Sequence, residues 1–283
     1  MPELPEVQAH AERLTDLFAG AVLQRFVPLT FTALKTAVPP PSEAYGHPLL
    51  DVGRRGKYLL ARFEPVTFVV HLMQGGRLLV DTKQSAKPRN GQARFVFQGT
   101  QPALLLTEAG TERRAGVWCV PTPGDGHVPD GPPLDRLGPE ALDVTPAELA
   151  ASFAAHNMRV HGYLRDQHMI AGLGRMLANE VCHRARISPF AMTGKLGAEG
   201  AAKVVTAIHE AVDEGLAYER TRDDMSASKD RPGAVLGRTG ELCPVCGDVV
   251  RAVGYSGYTV NYCATCQTGG KVLADNTTSK FLK

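Results

Sequence analysis

The chain has 283 residues, of which 43% are hydrophobic and 21% charged, so it is long enough for one large hydrophobic core or two ordinary ones. Its formal net charge is only +2, and a surface that binds a polyanion must therefore come from local clusters of Lys and Arg. Its apolar runs are all shorter than a bilayer-spanning helix requires, which argues against a membrane protein.

The first predicted element is an amphipathic helix near the amino end. Val7, Leu14 and Phe18 recur at helical spacing, and Pro5 is suited to the first turn of a helix. The residues before it permit a chemical interpretation as well. Removal of Met1 would leave the secondary amine of Pro2 beside the carboxylate of Glu3, and such an amine can attack a sugar aldehyde carbon to give an iminium. The two interpretations are compatible.

The next part of the chain is rich in short β-like segments, and their number and spacing favour a sandwich or a barrel. They are Val22–Val27, Leu49–Val52, Tyr58–Phe63, Thr67–Leu72, Arg77–Asp81, Arg94–Phe97, Ala103–Thr107 and Gly116–Pro121. Pro121–Pro133, crowded with Pro, Gly and Asp, is the predicted linker. Beyond it the pattern is helical, over Ala147–His156, Met169–Ala185 and Ala198–Tyr218.

A Gly172-Leu173-Gly174 turn precedes a helix that begins near Arg175. Bare backbone amides and the positive end of that helix would face the same point, which is a suitable site for an anion. A tight turn whose glycines serve only helix packing is the alternative.

Two CxxC pairs, separated by 16 residues, stand near the carboxyl end: Cys243 with Cys246, and Cys263 with Cys266. Four thiolates at this spacing predict one tetrahedral structural zinc, with the segment Val249–Tyr262 forming a hairpin between the pairs. Two disulfides are the alternative, but the chain begins without a signal-peptide pattern, so we expect a reducing cytoplasm. Cys119 and Cys182 lack such spacing and are expected to be small buried apolar residues.

Together these features resemble the bacterial formamidopyrimidine-DNA glycosylase / endonuclease VIII family over essentially the whole chain. The motifs that carry the resemblance occur in one order: Pro2-Glu3-Leu4-Pro5-Glu6, Gly53-Arg54-Arg55-Gly56-Lys57-Tyr58-Leu59, His71-Leu72-Met73-Gln74-Gly75-Gly76, Glu112-Arg113-Arg114-Ala115-Gly116, Gly172-Leu173-Gly174-Arg175 through Glu180, Gly237-Arg238 and the four cysteines.

The resemblance implies an α+β multidomain fold. It has an N-terminal β-sandwich lobe with flanking helices, a helix-two-turn-helix bundle and a C-terminal four-Cys zinc ribbon. The expected parts are a catalytic lobe over 1–121, a linker over 122–143, the helical DNA-binding domain over 144–235, the ribbon over 236–270 and an extension over 271–283.

The resemblance also implies a bifunctional DNA glycosylase and AP lyase of base excision repair, acting on oxidised or ring-opened bases. Pro2 would attack C1′ of the damaged nucleoside, Glu3 would move protons, and Lys57 would approach the phosphate and deoxyribose during strand cleavage. A solvated hairpin lysine is the alternative for Lys57. Glu6 and Glu180 match acidic positions of the family, although a first-turn acid and a helix-surface acid would look the same.

The expected DNA-binding residues are Gln74, Arg113, Arg114, His161, Gly174, Arg175 and Tyr258. Several depart from the family. Gln74 stands where oxidised-purine enzymes usually carry Met, Ala115 replaces an aromatic wedge, and His161, Arg175 and Tyr258 replace Lys, Asn and Arg. The preferred lesion therefore stays open between oxidised purines and pyrimidines.

The expected partner is damaged double-stranded DNA, bound by a monomer that is not attached to a membrane. The expected cofactor is one structural Zn²⁺, with no soluble cofactor. Two alternatives from other classes are a lesion- or abasic-site-binding protein with little base excision, and a zinc-ribbon scaffold with no role on DNA.

Overall fold

The computed structural model describes residues 1–111, 113–124, 129–225, 227–255 and 257–274. The chain forms two compact units. The first contains residues 1–136 and 219–227, and the second contains residues 137–218 and the chain from 228 onward. The mixed α+β fold with an N-terminal β lobe, a helical part and four clustered cysteines is confirmed. Glu112, residues 125–128 of the predicted linker and residues 275–283 of the predicted extension lie outside the described residues.

Helix α1, Leu4–Phe18, opens the first unit, as the apolar spacing predicts. Pro5 lies in its first turn, and Glu3 and Glu6 form a reciprocal capping box at its amino end. Leu14 and Phe18 are buried in the core of the unit. The helix is fixed to its neighbouring strand where Thr15 Oγ1 accepts a 2.8 Å hydrogen bond from the Val52 amide.

Eight strands form two antiparallel four-stranded sheets in this unit. The first sheet has the order β1-β6-β7-β5 and the second β2-β3-β4-β8. The strands are β1 Leu23–Pro28, β2 Asp51–Arg55, β3 Tyr58–Arg62, β4 Val66–His71, β5 Gly76–Asp81, β6 Gly91–Phe97, β7 Ala103–Glu108 and β8 Gly116–Pro121. Of the sandwich and the barrel that the spacing of the segments favoured, the two-sheet layering is the sandwich.

The core of the first unit lies between its two sheets. Phe68 of β4 has its ring centroid 5.5 Å from that of Phe26 in β1 and 5.2 Å from that of Phe95 in β6. All three rings are at most 5% exposed. These contacts join the two sheets directly, and each aromatic pair adds about 0.5–1.5 kcal/mol to the gain from burial alone.

The second unit contains helices and a short ribbon. The helices are α2 Pro146–Ala155, α3 Val160–Arg165, α4 Arg175–Arg184, α5 Gly197–Arg220, whose last two residues belong to the first unit, and α6 Ala264–Thr268. The ribbon consists of β9 Val250–Tyr255 and β10 Tyr258–Cys263, which pair antiparallel. This is the hairpin expected between the two cysteine pairs. The domain boundaries given above stay predictions, since helices and ribbon lie in one compact unit.

Two predicted elements need correction. The predicted helix over 169–185 is wrong in its first part, because Gly172 has a φ of 101° and α4 begins only at Arg175. Gln167 holds this turn, since its side chain accepts from the Gly172 amide and donates to the Leu173 carbonyl. Helix α3 was missed because it has only six residues. The segment expected as a strand from Leu49 starts at Asp51 instead.

Within the described residues, we find no helix that combines the length and the apolar character needed to span a bilayer.

Candidate functional site

The amino end of the chain is packed into the first unit. Pro2 is buried, and Glu3, Glu6 and Lys57 are each at most 4% exposed. The Glu6 carboxylate accepts a 2.7 Å hydrogen bond from the Glu3 amide, which fixes the backbone next to Pro2. Buried charged side chains of both signs are rare unless they pair, so this cluster is a candidate site rather than a solvated helix end.

The electrostatics of the cluster act on the amino terminus. Burial is the main reason why the pKa of the Met1 α-amine lies below its usual value, and the charges of Arg77 and Lys57 lower it further. The carboxylates of Glu3 and Glu6 oppose this shift of the amine pKa. An amine in this corner is thus kept closer to its unprotonated, nucleophilic form than an amine in water.

Lys57 reaches this corner from the two-residue hairpin between β2 and β3. Gly56 takes the left-handed conformation that such turns require, with φ 56°, and its carbonyl accepts a 2.9 Å hydrogen bond from Arg54 Nη1. The alternative of a solvated hairpin lysine is wrong, because Lys57 is 4% exposed. Burial and the charge of Lys57 together lower the pKa of His71 to about 4.

Gln74 lies at the tip of the turn that joins β4 and β5, and it is exposed. Met73 has a φ of 51° and packs against the core of the unit, so its side chain is turned away from the tip. Gly75 and Gly76 are required here, because an added Cβ would collide with the carbonyls of Ala109 and Leu72. The turn therefore presents the polar side chain and hides the apolar one.

Arg113 and Arg114 are exposed in the segment that leads into β8. Glu108, 2% exposed, anchors that segment by accepting a 2.6 Å hydrogen bond from the Ala115 amide. Ala115 itself is 1% exposed and belongs to the core, so no side chain at this position projects toward solvent. The Gly75 carbonyl accepts from the Ala109 amide at 3.2 Å, which brings the Gln74 turn beside the start of this segment.

A second group of predicted residues comes together in the second unit. The rings of His161 in α3 and Tyr258 in β10 stack with their centroids 6.0 Å apart and an interplanar angle of 19°. The guanidinium carbon of Arg165, also in α3, lies 4.0 Å from the centroid of the Tyr258 ring. Burial, with the charges of Arg165 and Arg175, lowers the pKa of His161 to about 3. His161 is therefore neutral at physiological pH.

Gly174 and Arg175 form the start of α4. Gly174 is the buried N-cap residue of the helix, in an extended conformation, whereas Arg175 at the first helical position is exposed. This arrangement leaves the amino end of a ten-residue helix next to a cationic side chain. The predicted roles of all these residues in DNA binding stay predictions.

The four cysteines of the ribbon meet at one point. Their Sγ atoms all lie within 4.8 Å of one another, with Cys243 and Cys266 3.8 Å apart and Cys246 and Cys263 3.3 Å apart. Four thiolates about 2.3 Å from a central tetrahedral zinc would stand about 3.8 Å apart, so the donor set fits a metal of this kind. All four positions are protein ligands, which is typical of a structural site.

Helix α4 carries two residues at the ribbon that sequence reasoning assigned incompletely or missed. The Glu180 carboxylate accepts backbone hydrogen bonds from Ala234, Val235 and Leu236 at 2.7 to 3.1 Å, so it is not a helix-surface acid. His183, 3% exposed, lies with Nε2 3.3 Å from Cys243 Sγ. Its spacing of three residues from Glu180 places both on one helix face, and this was the available signal.

Cys119 and Cys182 are both buried, as predicted. Burial raises the pKa of each thiol to about 12. Neither has the thiolate character of a nucleophile.

Comparison with known proteins gives one consistent result. Residues 1–115 match the family model of the formamidopyrimidine-DNA glycosylase N-terminal domain, and residues 137–226 match that of the formamidopyrimidine-DNA glycosylase H2TH domain. A formamidopyrimidine-DNA glycosylase of Symbiobacterium thermophilum is 32% identical over 282 residues, which cover 94% of this chain and 89% of the relative. A formamidopyrimidine-DNA glycosylase-like protein of Mycobacterium tuberculosis, itself uncharacterised, is 44% identical over 161 residues, or 54% of this chain and 99% of the relative.

Solved structures agree with these relatives. The MutM (Fpg) protein from Thermus thermophilus superposes with a TM-score of 0.79 at 29% identity, covering 96% of this chain and all of that one. Lactococcus lactis formamidopyrimidine-DNA glycosylase, solved with DNA that contains an AP site, has a TM-score of 0.80 at 21% identity, covering 94% and 99%. The second likeness shows the shared fold alone.

Removing the metal should affect the two units differently, and the difference can be measured. We expect a chelator to abolish binding to abasic-site duplex DNA while the fluorescence of Trp118, the single tryptophan, stays unchanged. The ribbon is too small to fold on its own core, whereas Trp118 lies in β8 of the first unit. Full binding by a metal-free sample, or by Cys263→Ala, would contradict the prediction.

Mild acid should destabilise the fold through three histidines. The pKa of His10, lowered mainly by burial, is about 4, that of His71 about 4 and that of His161 about 3, against an ordinary value of 6.5. Between these folded-state pKa values and 6.5 the unfolded chain binds protons that the folded chain does not. The contribution of these histidines to the free energy of unfolding is therefore fully present above pH 6.5 and decreases as the pH falls below it. The loss reaches about 1.4 kcal/mol per pH unit for each histidine.

Denaturant unfolding at pH 7.5 and pH 5 tests this expectation, with Trp118 reporting on the first unit and far-ultraviolet circular dichroism on the helices. His10→Gln should reduce the acid sensitivity of the first unit, whereas His156→Gln, at an exposed position, should not. Equal stability of the unaltered protein at both pH values would refute the assignment.

Proposed function

The chain belongs to the formamidopyrimidine-DNA glycosylase family, and we propose that it is a bifunctional DNA glycosylase and AP lyase that excises oxidised or ring-opened bases. The coarser part, a DNA glycosylase of base excision repair, follows from membership of the family. The finer part, an imine-forming lyase that uses Pro2, rests on the geometry of the amino end.

The observation that carries the proposal is the buried corner around Pro2. A solvated helix start needs no buried lysine, yet Lys57 is 4% exposed and acts electrostatically on the terminal amine together with Arg77. Two buried carboxylates, Glu3 and Glu6, balance these charges. A lowered amine pKa with a carboxylate next to it is what a nucleophilic amine and its proton carrier require.

The proposed reaction begins after removal of Met1. The neutral Pro2 nitrogen forms a bond to C1′ as the bond from C1′ to the damaged base breaks, and the base takes the proton that the nitrogen loses. Glu3, in its protonated form, gives its proton to the ring oxygen as the bond from C1′ to that oxygen breaks, which leaves an iminium between Pro2 and C1′ and a Glu3 carboxylate. Loss of a C2′ proton then expels the 3′ phosphate, and Lys57 stabilises the charge that develops there.

The flipped nucleotide leaves a gap in the duplex, and unstacking costs a few kcal/mol. Gln74 is the exposed side chain of one turn, and Arg113 and Arg114 are exposed in the segment anchored beside it. Guanidinium and amide donors suit the acceptors of an orphaned base. We therefore assign the filling of the gap to polar side chains, since Ala115 is enclosed in the core.

Damaged double-stranded DNA is the proposed partner, and zinc the proposed metal of the four cysteines. The thiolate set supports zinc because soft sulfur ligands in tetrahedral arrangement favour it. Zinc would hold the ribbon, and therefore Tyr258 at the start of β10, in place against the helices.

Blocking the amine tests the proposed nucleophile. A protein with a short uncleaved extension before Pro2 has an amide nitrogen there, which cannot attack C1′, so borohydride trapping on abasic-site duplex should fall below 1% of that of the unextended protein. DNA binding should largely survive, because the phosphate contacts that we propose do not involve the amine. Pro2→Gly, which keeps a primary amine, is the matched control and should retain weak trapping. Robust trapping by the blocked protein would mean that a lysine is the nucleophile.

The pH dependence of trapping tests the role of Lys57. The charge of Lys57 lowers the pKa of the Met1 amine, and we expect the same effect on the Pro2 amine, so Lys57→Met should move the acidic limb of the trapping rate to higher pH. Arg55→Met, a charge removal from the same hairpin, serves as the comparison. An unshifted acidic limb in Lys57→Met would rule out electrostatic activation by this residue.

A further inference from the structure

We infer that Arg165, seated on the ring of Tyr258, and Arg175 form a phosphodiester-binding site in the second unit. The inference rests on the proposed function, because the phosphodiester is that of the DNA strand. It identifies Arg165 as a binding residue and gives Tyr258 the role of a platform for it.

The geometry fixes Arg165 while leaving its donors available. Its guanidinium carbon is 4.0 Å from the centroid of the Tyr258 ring, so one face of the guanidinium lies against that ring. The His161 ring also stacks with Tyr258, at an interplanar angle of 19°, so the ring contacts a second side chain of α3. A guanidinium held by its face keeps its N–H donors in the plane free to meet an anion, and less rotamer freedom is lost on binding.

His161 contributes a hydrogen-bond donor and no charge. The side-chain amide of Asn179 is oriented by two backbone partners: its Oδ1 accepts from the Asn261 amide at 2.8 Å, and its Nδ2 donates to the Arg175 carbonyl at 2.6 Å. The Nδ2 group lies 3.2 Å from His161 Nε2, which must therefore accept. The ring proton is then on Nδ1, and the charge of the cluster comes from the two arginines alone.

Neither arginine forms an ion pair with a described residue. In the parts of the chain that the structure describes, no carboxylate lies within ion-pair distance of Arg165 or Arg175. Asp166 follows Arg165 directly, but its Oδ1 accepts from the amide and Nδ1 of His168, each at 2.9 Å. Other arginines are paired, such as Arg184 with Glu214 and Arg238 with Glu241. Two unpaired guanidinium groups that both act on one buried histidine mark a place prepared for an external anion.

The position of the cluster suits a polyanion strand. Arg175 starts α4, whose amino end adds the partial positive charge of the helix dipole. Phosphodiesters carry a single spread charge with several acceptor oxygens, and planar guanidinium groups match this pattern. Tyr258 stands where the family has an Arg and carries no positive charge. Arg165, which lies on its ring, supplies a positive charge at this place.

Salt titration of DNA binding measures the site. Each phosphate contact contributes about 0.9 to the slope of log K against log [salt], so Arg165→Ala should flatten the slope by about 0.9 and bind abasic-site duplex about eightfold more weakly in 0.1 M NaCl. Arg165→Gln serves as a second neutral variant with a planar end group. Arg165→Lys should keep the slope, because the charge stays, but bind more weakly because the ring contact is lost.

Lys203→Ala is the matched control for removal of one positive charge in the same unit. Lys203 lies on α5, is 55% exposed and pairs with Glu199, so this variant should keep the slope of the unaltered protein. Circular dichroism checks that each variant is folded. An unchanged slope in folded Arg165→Ala and Arg165→Gln overturns the inference.

Borohydride trapping in the same samples separates this result from the chemistry. Full trapping with an unchanged slope would overturn the arginine site and leave the proposed reaction standing. If the Arg165 variants flatten the slope but the unaltered protein gives no trapping, the result would support the site and overturn the reaction. Failure of the unaltered protein to bind the duplex at low salt would overturn both.

Discussion

The proposed chemistry depends on holding the first residues of the chain in one place, although the ends of domains are ordinarily their least ordered parts. The constraint is the first turn of α1. Leu4 and Val7 are fully buried, and the capping box of Glu3 and Glu6 satisfies backbone donors that would otherwise need water. Pro2 is thereby kept at the edge of a folded core, close to buried charges.

The second unit depends on a comparable polar face, that of α4. Asn179 holds β10 and the His161 ring, Glu180 holds the backbone before the first cysteine pair, and His183 contacts Cys243. One helix therefore connects the cysteine cluster with the arginines proposed to bind phosphate. Loss of the metal would disturb these contacts first, because the ribbon has no large core of its own.

Sequence reasoning located the elements with strong local signals. The apolar spacing of α1, the two CxxC pairs and the hairpin between them were all predictable, since each depends on neighbours along the chain. The six-residue α3 was not, because a short helix has little periodicity. The start of α4 at Arg175 was indicated by the Gly172-Leu173-Gly174 turn but not by the helical periodicity, which extended back to residue 169.

The same division holds for the candidate site. Pro2, Glu3 and Lys57 were found through motifs, but the burial of Lys57 was not predictable, since a lysine after Gly in a hairpin is ordinarily solvated. Arg165 gave no signal, because its partner Tyr258 lies far along the chain. The neutral state of His161 also depends on burial and on two arginines that only the fold brings near it.

Mapping the covalent bond to the sugar shows directly which nitrogen forms it. The borohydride-reduced adduct with abasic-site DNA would be digested with protease and nuclease, and the modified peptide sequenced by mass spectrometry. We expect the sugar remnant on the nitrogen of Pro2, in a peptide that lacks Met1. A remnant on Lys57 or any other internal lysine, or an adduct that retains Met1, would contradict it.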